Sequence, residues 1–571
     1  MEIISYIKKK FMTTPINKIN SAVMGALLLI AGTFSACKND SPQLNESIAK
    51  PSIAFVALTN STAVTGTANT PTTIQSQLIR YNSSNVNAPT AAALTITGLQ
   101  TGESIVAIDY RPATGQLYGL GSTSRLYILP VPTSTAAANI TARPVGTVPF
   151  STLVTGNVTG FDFNPTVDRI RVVTSSGQNL RVNPEDGTVV AVDGSLSLAG
   201  ATTVPPVSGA AYTNNVSGAT TTTLYDLDLL NRKLYRQDPP NNGTLVEIGL
   251  TGIPTAAATV NSGFDIAPNG TALAISGTTL FQINLETGAA SELGVMAIPN
   301  TVTGNNTING TSLVGIAIPT ASTYYAVDEA NALNYFNPAS PSTAVTKPIT
   351  GLQAGENVLG IDFRPSNGQL YALGSSSRIY TINLGTGAAT AVGTAPFTTA
   401  LSGTSFGFDF NPTTSANPAT ELIRVVSNTG QNLRINASAG TIANIDPNVT
   451  FSAGTGTPAV SASGYTNNFA GATSTVLFSI DATTDRLYRQ DAATGVLTSV
   501  GALGVDVDAV NGFDIGTIGV TTATAVTGNG VAILTVGNTT RLYNVSLISG
   551  SATAGFEFPR KVRGFAIAPA F

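Results

Sequence analysis

The chain has no histidine and no tryptophan, and only one cysteine among its 571 residues. Without an imidazole, Ser-His-Asp and Cys-His catalysis and histidine-based metal sites are excluded. Without a second cysteine, no intramolecular disulfide can form. Charge is scarce as well: Asp, Glu, Lys and Arg make up 10% of the chain, against roughly 25% in ordinary soluble proteins. The 27 basic and 31 acidic residues leave a formal net charge of −4, so no basic face for nucleic acid is present. Sustained helical periodicity is also missing. Thr, Ser, Asn, Ala and 56 Gly fill the space instead, a composition that favours an all-β protein with many turns. The length exceeds one ordinary core and suits two or three domains.

At the N-terminus, Lys8, Lys9, Lys10 and Lys18 precede an apolar run from Ala22 to Phe34, 13 residues long, where a spanning helix needs roughly 20. Residues 1–36 therefore read as a secretory signal peptide. The run ends in Phe34-Ser35-Ala36-Cys37, which resembles the lipobox of bacterial lipoproteins. That resemblance implies acylation of Cys37 and a membrane attachment through the lipid. Residues 37–52 are polar, with two prolines, and read as the lipidated end and a tether. The expected location is the bacterial cell envelope, on the outer membrane, with the periplasmic and surface sides both open.

The remainder is repetitive. IDYRPATGQLYGLGSTSRLYIL at 108–129 returns as IDFRPSNGQLYALGSSSRIYTI at 361–382, with 14 of 22 letters unchanged. RVVTSSGQNLRVN at 171–183 returns at 424–436, and YTNN at 212–215 returns at 465–468. Within each copy a shorter unit recurs about every 50 residues, a spacing typical of propellers and solenoids. Its opening strand appears as AIDYRP, GFDFNP, AAYTNN, GFDIAP and GIAIP, then again as GIDFRP, GFDFNP, SGYTNN, GFDIGT and GFAIAP. After GFDFNP at 160 come DRIRVVT, QNLRVN and TVVAV, separated by turn residues, which predicts a four-stranded antiparallel blade.

Residues 53–95 hold three strand-like runs without an opening strand, and VGIAIP at 314–319 is an opening strand without followers. Joined, they predict a fifth blade; 323–337 and 562–569 predict the same for the second copy. The expected fold is an all-β β-propeller protein with two tandem five-bladed propellers, at 53–320 and 321–571. The strand count also suits one ten-bladed ring.

The runs GIDFRP, QLYALGSSSRIYTIN, GFDFNP, RVVSNTGQNLRIN, YTNN and GFDI together resemble the bacterial domain of unknown function 4394, in two copies. The resemblance implies an exported, propeller-like protein and brings no activity or catalytic residue with it. Tyr212 and Tyr465 depart from the pattern, leading YTNN units that lack the aspartate.

Asp109, Asp162, Asp265, Asp362, Asp409 and Asp514 recur near the ends of opening strands. They can cap their own turns by accepting backbone N–H groups, as Asx-turns do, or serve as a carboxylate set for a hard cation or glycosidic chemistry. Repetition favours the structural role, since catalysis needs two unequal carboxylates. On this reading there is no catalytic residue, no metal site and no cofactor. Arg171, Arg424, Arg181 and Arg434 are expected to pair with aspartates between blades. Arg125, Arg378, Arg236, Arg489, Gln178, Asn179, Gln431 and Asn432 are the candidate ligand-binding residues. For Arg236 and Arg489 in LYRQD, a place held between blades is the favoured reading. Gly403-Thr404-Ser405-Phe406-Gly407 matches G-x-S-x-G, but the first copy has Val158 at the serine position and no histidine exists. Glu185 and Asp186 face Ser438 and Ala439 in the second copy and read as variable surface.

Two function classes remain: a non-enzymatic envelope binding module, for a glycan or an envelope protein, or a histidine-free carboxylate enzyme, a glycoside hydrolase or lyase. Binding leads.

Overall fold

The computed structural model describes residues 50–64, 73–131, 139–198, 203–254, 262–298, 307–453, 456–516 and 528–569. The signal peptide, Cys37 and most of the tether lie outside the described residues. No helix among the described residues is long and apolar enough to cross a membrane.

The described residues form ten sheets, seven of four strands and three of five. The second unit shows why. Val158–Asn164, Arg169–Thr174, Asn179–Val182 and Val189–Val192 are β-rich runs of four to seven residues. Between them stand turns with Asp168 and Gly187 at positive φ, which reverse the chain at once. The strands pair antiparallel in sequence order.

The fifth strands are short additions that the repeat pattern does not announce. Asn139–Thr141 lies parallel on Leu94–Thr97, Ser197–Leu198 on Thr244–Leu250, and Thr450–Phe451 on Val496–Ala502. Each borders a strand whose outer edge has open backbone groups, and a passing connection takes them up.

The opening strands are the innermost of their sheets. In the first copy these are Ile105–Tyr110, Val158–Asn164, Gly209–Tyr212, Ser262–Ile266 and Thr307–Ala317. Each packs against the next, and the fifth packs against the first. Val358–Phe363, Phe406–Phe410, Val460–Tyr465, Ala509–Asp514 and Val562–Ile567 do likewise in the second copy. Thr307–Ala317 pairs with Ala54–Val64 at the other end of its copy, and Val562–Ile567 pairs with Tyr324–Asp328.

Glycine in the opening motif is what permits this approach. A Cβ on Gly160 would lie 2.4 Å from the Ala210 Cβ on the next inner strand, and one on Gly564 would lie 2.9 Å from the Gly360 Cα. The sheets bury both faces against their neighbours: Tyr118, Leu120 and Ile128 of one meet Phe161, Phe163, Ile170 and Val172 of the next. Each such side chain contributes roughly 1.5–3 kcal/mol of burial.

The two copies also touch. Tyr325 Oη donates to Ala113 O at 2.7 Å, and the Arg143 guanidinium donates to Pro365 O at 3.0 Å and Ala470 O at 3.3 Å.

Candidate functional site

Three of the five inner strands in each copy carry an aspartate at one level. The other two carry Ala211 and Ala317 in the first copy, Gly464 and Ala566 in the second. Carboxylate oxygens of Asp109, Asp162 and Asp265 lie within 4.8 Å of one another, as do those of Asp362, Asp409 and Asp514. All six residues are buried.

Their hydrogen bonds correct the expectation that they cap their own turns. Asp109 accepts the N–H of Tyr110 at 2.7 Å and, across to the next inner strand, that of Phe163 at 2.8 Å. Asp265 accepts from Ile266 at 2.6 Å and Ile318 at 2.5 Å, and Asp162 from Tyr212 at 3.0 Å. The second copy repeats the scheme with Phe410, Tyr465 and Ile567 as the N–H donors across the gap. The carboxylates thus staple inner strand to inner strand, because each inner strand is a sheet edge with backbone donors that no ladder satisfies.

Burial is the main force on their acidity. It pushes Asp265 up to about 7 and Asp514 up to about 6, against the backbone N–H bonds that favour the charged form. Asp109, Asp162, Asp362 and Asp409 are held well above the carboxylate range by burial and then by the neighbouring aspartates. Three carboxyls this close and this dry cannot all be charged at once. Protons shared within the trio, or a hard cation taking its all-oxygen donor set, satisfy that constraint.

Directly beyond the first trio, between the five inner strands, lies a cavity of about 430 Å³. Ala107, Gly160, Ala210, Gly263 and Gly315 line it, one from each strand, together with Ser122, Val154, Asn157 and Thr159 from strand ends and loops. Ser122, Gly156 and Asn157 are exposed and mark its mouth. None of the described residues that line it is acidic or basic.

The corresponding space in the second copy is only about 10 Å³. There Arg563 stands where the first copy has Val314, Phe565 where it has Ile316, and Phe406 where it has Thr159. Arg563 borders this space, and its guanidinium is held by neighbouring loops, donating to Asn331 Oδ1 at 3.1 Å, Asn357 Oδ1 at 3.0 Å and Glu329 O at 2.8 Å.

The match between the two copies extends to a known family. A family model described as a domain of unknown function (DUF4394) fits residues 77–305 and again residues 332–568. The chain belongs to that family, as two tandem DUF4394 copies. Among solved structures it is similar, at 9% identity, to the computationally designed Ika8 protein, over 81% of this chain and 98% of that one with a TM-score of 0.20. It is also similar, at 10% identity, to the extracellular domain of a putative one component system from B. thetaiotaomicron, over 87% and 66% with a TM-score of 0.22. Scores at that level carry no argument about fold. No curated protein matches the sequence.

The remaining candidates divide by position within the DUF4394 copies. Gln178 clamps the loop beside the cavity mouth: its Oε1 accepts the Thr155 N–H at 2.9 Å and its Nε2 donates to Leu153 O at 3.0 Å. Gln431 does the same for Ser402 and Ala400. Arg125 lies nearby, donating to Thr147 O at 3.3 Å, while Arg378 is half-buried at the start of Arg378–Ile382.

Asn179 and Asn432 are not rim residues. They are buried and accept from Arg171 and Arg424 at 2.8 and 2.7 Å. Arg236 and Arg489 are exposed, with Arg236 paired to Asp238 at 3.1 Å. That corrects their expected place between sheets: their neighbours Leu234, Tyr235, Leu487 and Tyr488 are buried on both faces of the strand, while the arginines themselves reach solvent.

Arg171 and Arg424 do bridge neighbouring sheets, but their acidic partners are Asp193 and Asp446, each at 2.5 Å, rather than the recurrent aspartates. Arg181 and Arg434 share those same carboxylates at 2.8 and 2.7 Å. Arg111 with Asp168 and Arg364 with Glu421 form two further buried pairs. The repeated Arg-Pro after the opening aspartate was the available signal for these.

Glu185 is not variable surface. It is largely buried between the copies, accepting from Asn383 Nδ2 at 2.8 Å and the Leu384 N–H at 3.1 Å, with Arg111 at 3.4 Å. Its counterpart Ser438 instead accepts from Arg364 within the second copy at 2.8 Å.

Proposed function

We propose that the protein is a lipid-anchored binding module of the bacterial cell envelope, built from two five-bladed β-propellers, whose ligand site is the inner cavity of the first copy. The observation that carries this reading is the cavity itself, at about 430 Å³ within the ~300–1,000 Å³ range of small-molecule sites. Two separate propellers, at 53–320 and 321–571, are favoured over one ten-bladed ring because the inner strands succeed one another within each copy. Each copy also draws its closing strand from its own end. Binding is favoured over the carboxylate-enzyme reading because none of the six aspartates lines the cavity. Each accepts at least one backbone N–H from the neighbouring inner strand. Nucleic acid is not a partner on this reading; the membrane is met through the lipid on Cys37, and the partner at the cavity is a small molecule.

Two experiments test it. In Cys37→Ala the protein leaves the membrane fraction while the body stays folded, and unchanged membrane association sinks the anchor. Thermal-shift screening of the full chain against a small-molecule panel tests the site. Hits that persist when the cavity is filled by Val314→Arg place binding elsewhere.

A further inference from the structure

The lining of the cavity selects a chemical class of ligand, given that the cavity binds one. Every inner strand is the edge of its sheet, so the backbone N–H and C=O groups on its free side have no ladder partner. At the aspartate level, carboxylates take the donors. Above it, the inner strands line the space with Ile108, Phe161, Ala210, Phe264 and Ile316, whose backbone groups face away from the ladder, and with Ala107, Gly160, Gly263 and Gly315, too small to cover that backbone. Ser122, Asn157, Thr159 and Ser262 add neutral donors and acceptors, and Val106, Val154 and Val314 add apolar contact.

A charged ligand entering this space loses its hydration and meets no opposite charge. A pure hydrocarbon strips water from backbone groups and returns no hydrogen bond. A molecule with hydroxyl groups around its edge and C–H faces between them satisfies both kinds of wall. We propose that the first copy binds a neutral saccharide of one or two rings, whose hydroxyls pair with the bare inner-strand backbone and whose ring faces lie on the valines. The second copy, whose corresponding space is only about 10 Å³ with Arg563 in its lining, does not bind it.

The test is isothermal titration of the purified full chain with cellobiose, maltose and chitobiose as neutral probes, digalacturonic acid as an anionic probe and toluene as an apolar one. The expected result is one saturable site for at least one neutral disaccharide, with digalacturonic acid weaker by about tenfold or more. Val314→Arg, which copies the second half, is expected to weaken the site by about tenfold or more. Arg563→Val is expected to leave it unchanged. Should Val314→Arg fail to fold, Ser262→Asn, which copies Asn511 of the second half, narrows the same space more gently and is expected to weaken binding in the same direction. Tighter binding of digalacturonic acid or toluene, still abolished by Val314→Arg, overturns the saccharide class and leaves the binding cavity standing. Heat from none of the probes, or saccharide binding that neither Val314→Arg nor Ser262→Asn alters, overturns both.

Discussion

The two copies share the small residues at their centre and differ one step along the strand. Gly160, Gly263 and Gly315 recur as Gly407, Gly512 and Gly564, yet the space beside them shrinks from about 430 to about 10 Å³. The glycines therefore serve the approach of the inner strands, which both copies need. The space is open where Val314, Ile316 and Thr159 line it and nearly closed where Arg563, Phe565 and Phe406 replace them. Fold and cavity are carried by different residues, so one can change while the other is kept.

The largest expected effect comes from the buried ion pairs. Arg111→Ala leaves Asp168 and Glu185 buried without their cation and should cost about 3–5 kcal/mol. Arg364→Ala should cost a similar amount through Glu421. Only Arg111→Ala should also open the contact between copies, since Glu185 reaches Asn383 and Leu384. Urea melts with limited proteolysis of the segment between the copies check this; equal cleavage in the two variants would erase the distinction.

Next come the strand staples. Asp162→Ala and Asp409→Ala each leave an inner-strand N–H, of Tyr212 or Tyr465, without its acceptor and should cost on the order of 1–3 kcal/mol. The asparagine variants keep an acceptor and should cost less. Thermal melts decide, and an Asn variant as unstable as the Ala variant would point to a role for the charge itself.

The pH dependence follows from the raised acidities. A carboxyl whose folded value lies above its unfolded value of roughly 3.9 keeps a proton in the native state that the unfolded chain has released. Its stabilising contribution is full below about pH 4 and is lost as pH rises through the folded value. The melting temperature should therefore fall between pH 5 and pH 8. The Asp514 contribution should go first, near about 6, and that of Asp265 near about 7. In Asp265→Asn the fall should be shallower. A melting temperature that climbs over this range would show that a cation, and not protons, neutralises the trios.

The smallest effect separates the two loop clamps. Gln178→Ala and Gln431→Ala should each cost about 1 kcal/mol. Only Gln178→Ala should weaken disaccharide binding, because only its loop, through Val154, borders an open cavity. Equal affinity in both variants would detach the loop from the site.

What could be read from the letters was whatever is local or repeated. The turn residues and the 50-residue period located the strands, and an opening strand with no followers located the closing pairs with Ala54–Val64 and Tyr324–Asp328. The aspartates were recognisable as a set, but their partners were not, since the N–H groups they accept belong to strands roughly 50 residues away in another sheet. Asp193 and Asp446 escaped for the same reason: nothing adjacent in sequence ties them to Arg171 and Arg424. The cavity is invisible in one dimension, because Val314 and Arg563 come to border an open and a nearly closed space only when five strands meet. Glu185 looked expendable because its twin is a serine; its role arises where one copy leans on the other, and that contact has no repeat.

The closing pairs have a temporal consequence. Leu58 pairs with Gly315, so as an exported chain emerges N-terminus first, the open edge of Ala54–Val64 waits for the whole of its copy to appear before it is covered. Val327 waits similarly for Gly564. Because each copy supplies its own final strand, the first can seal before the last strand of the second has emerged. The emerging chain is then left with one vulnerable edge at a time instead of two complementary ones able to pair with each other.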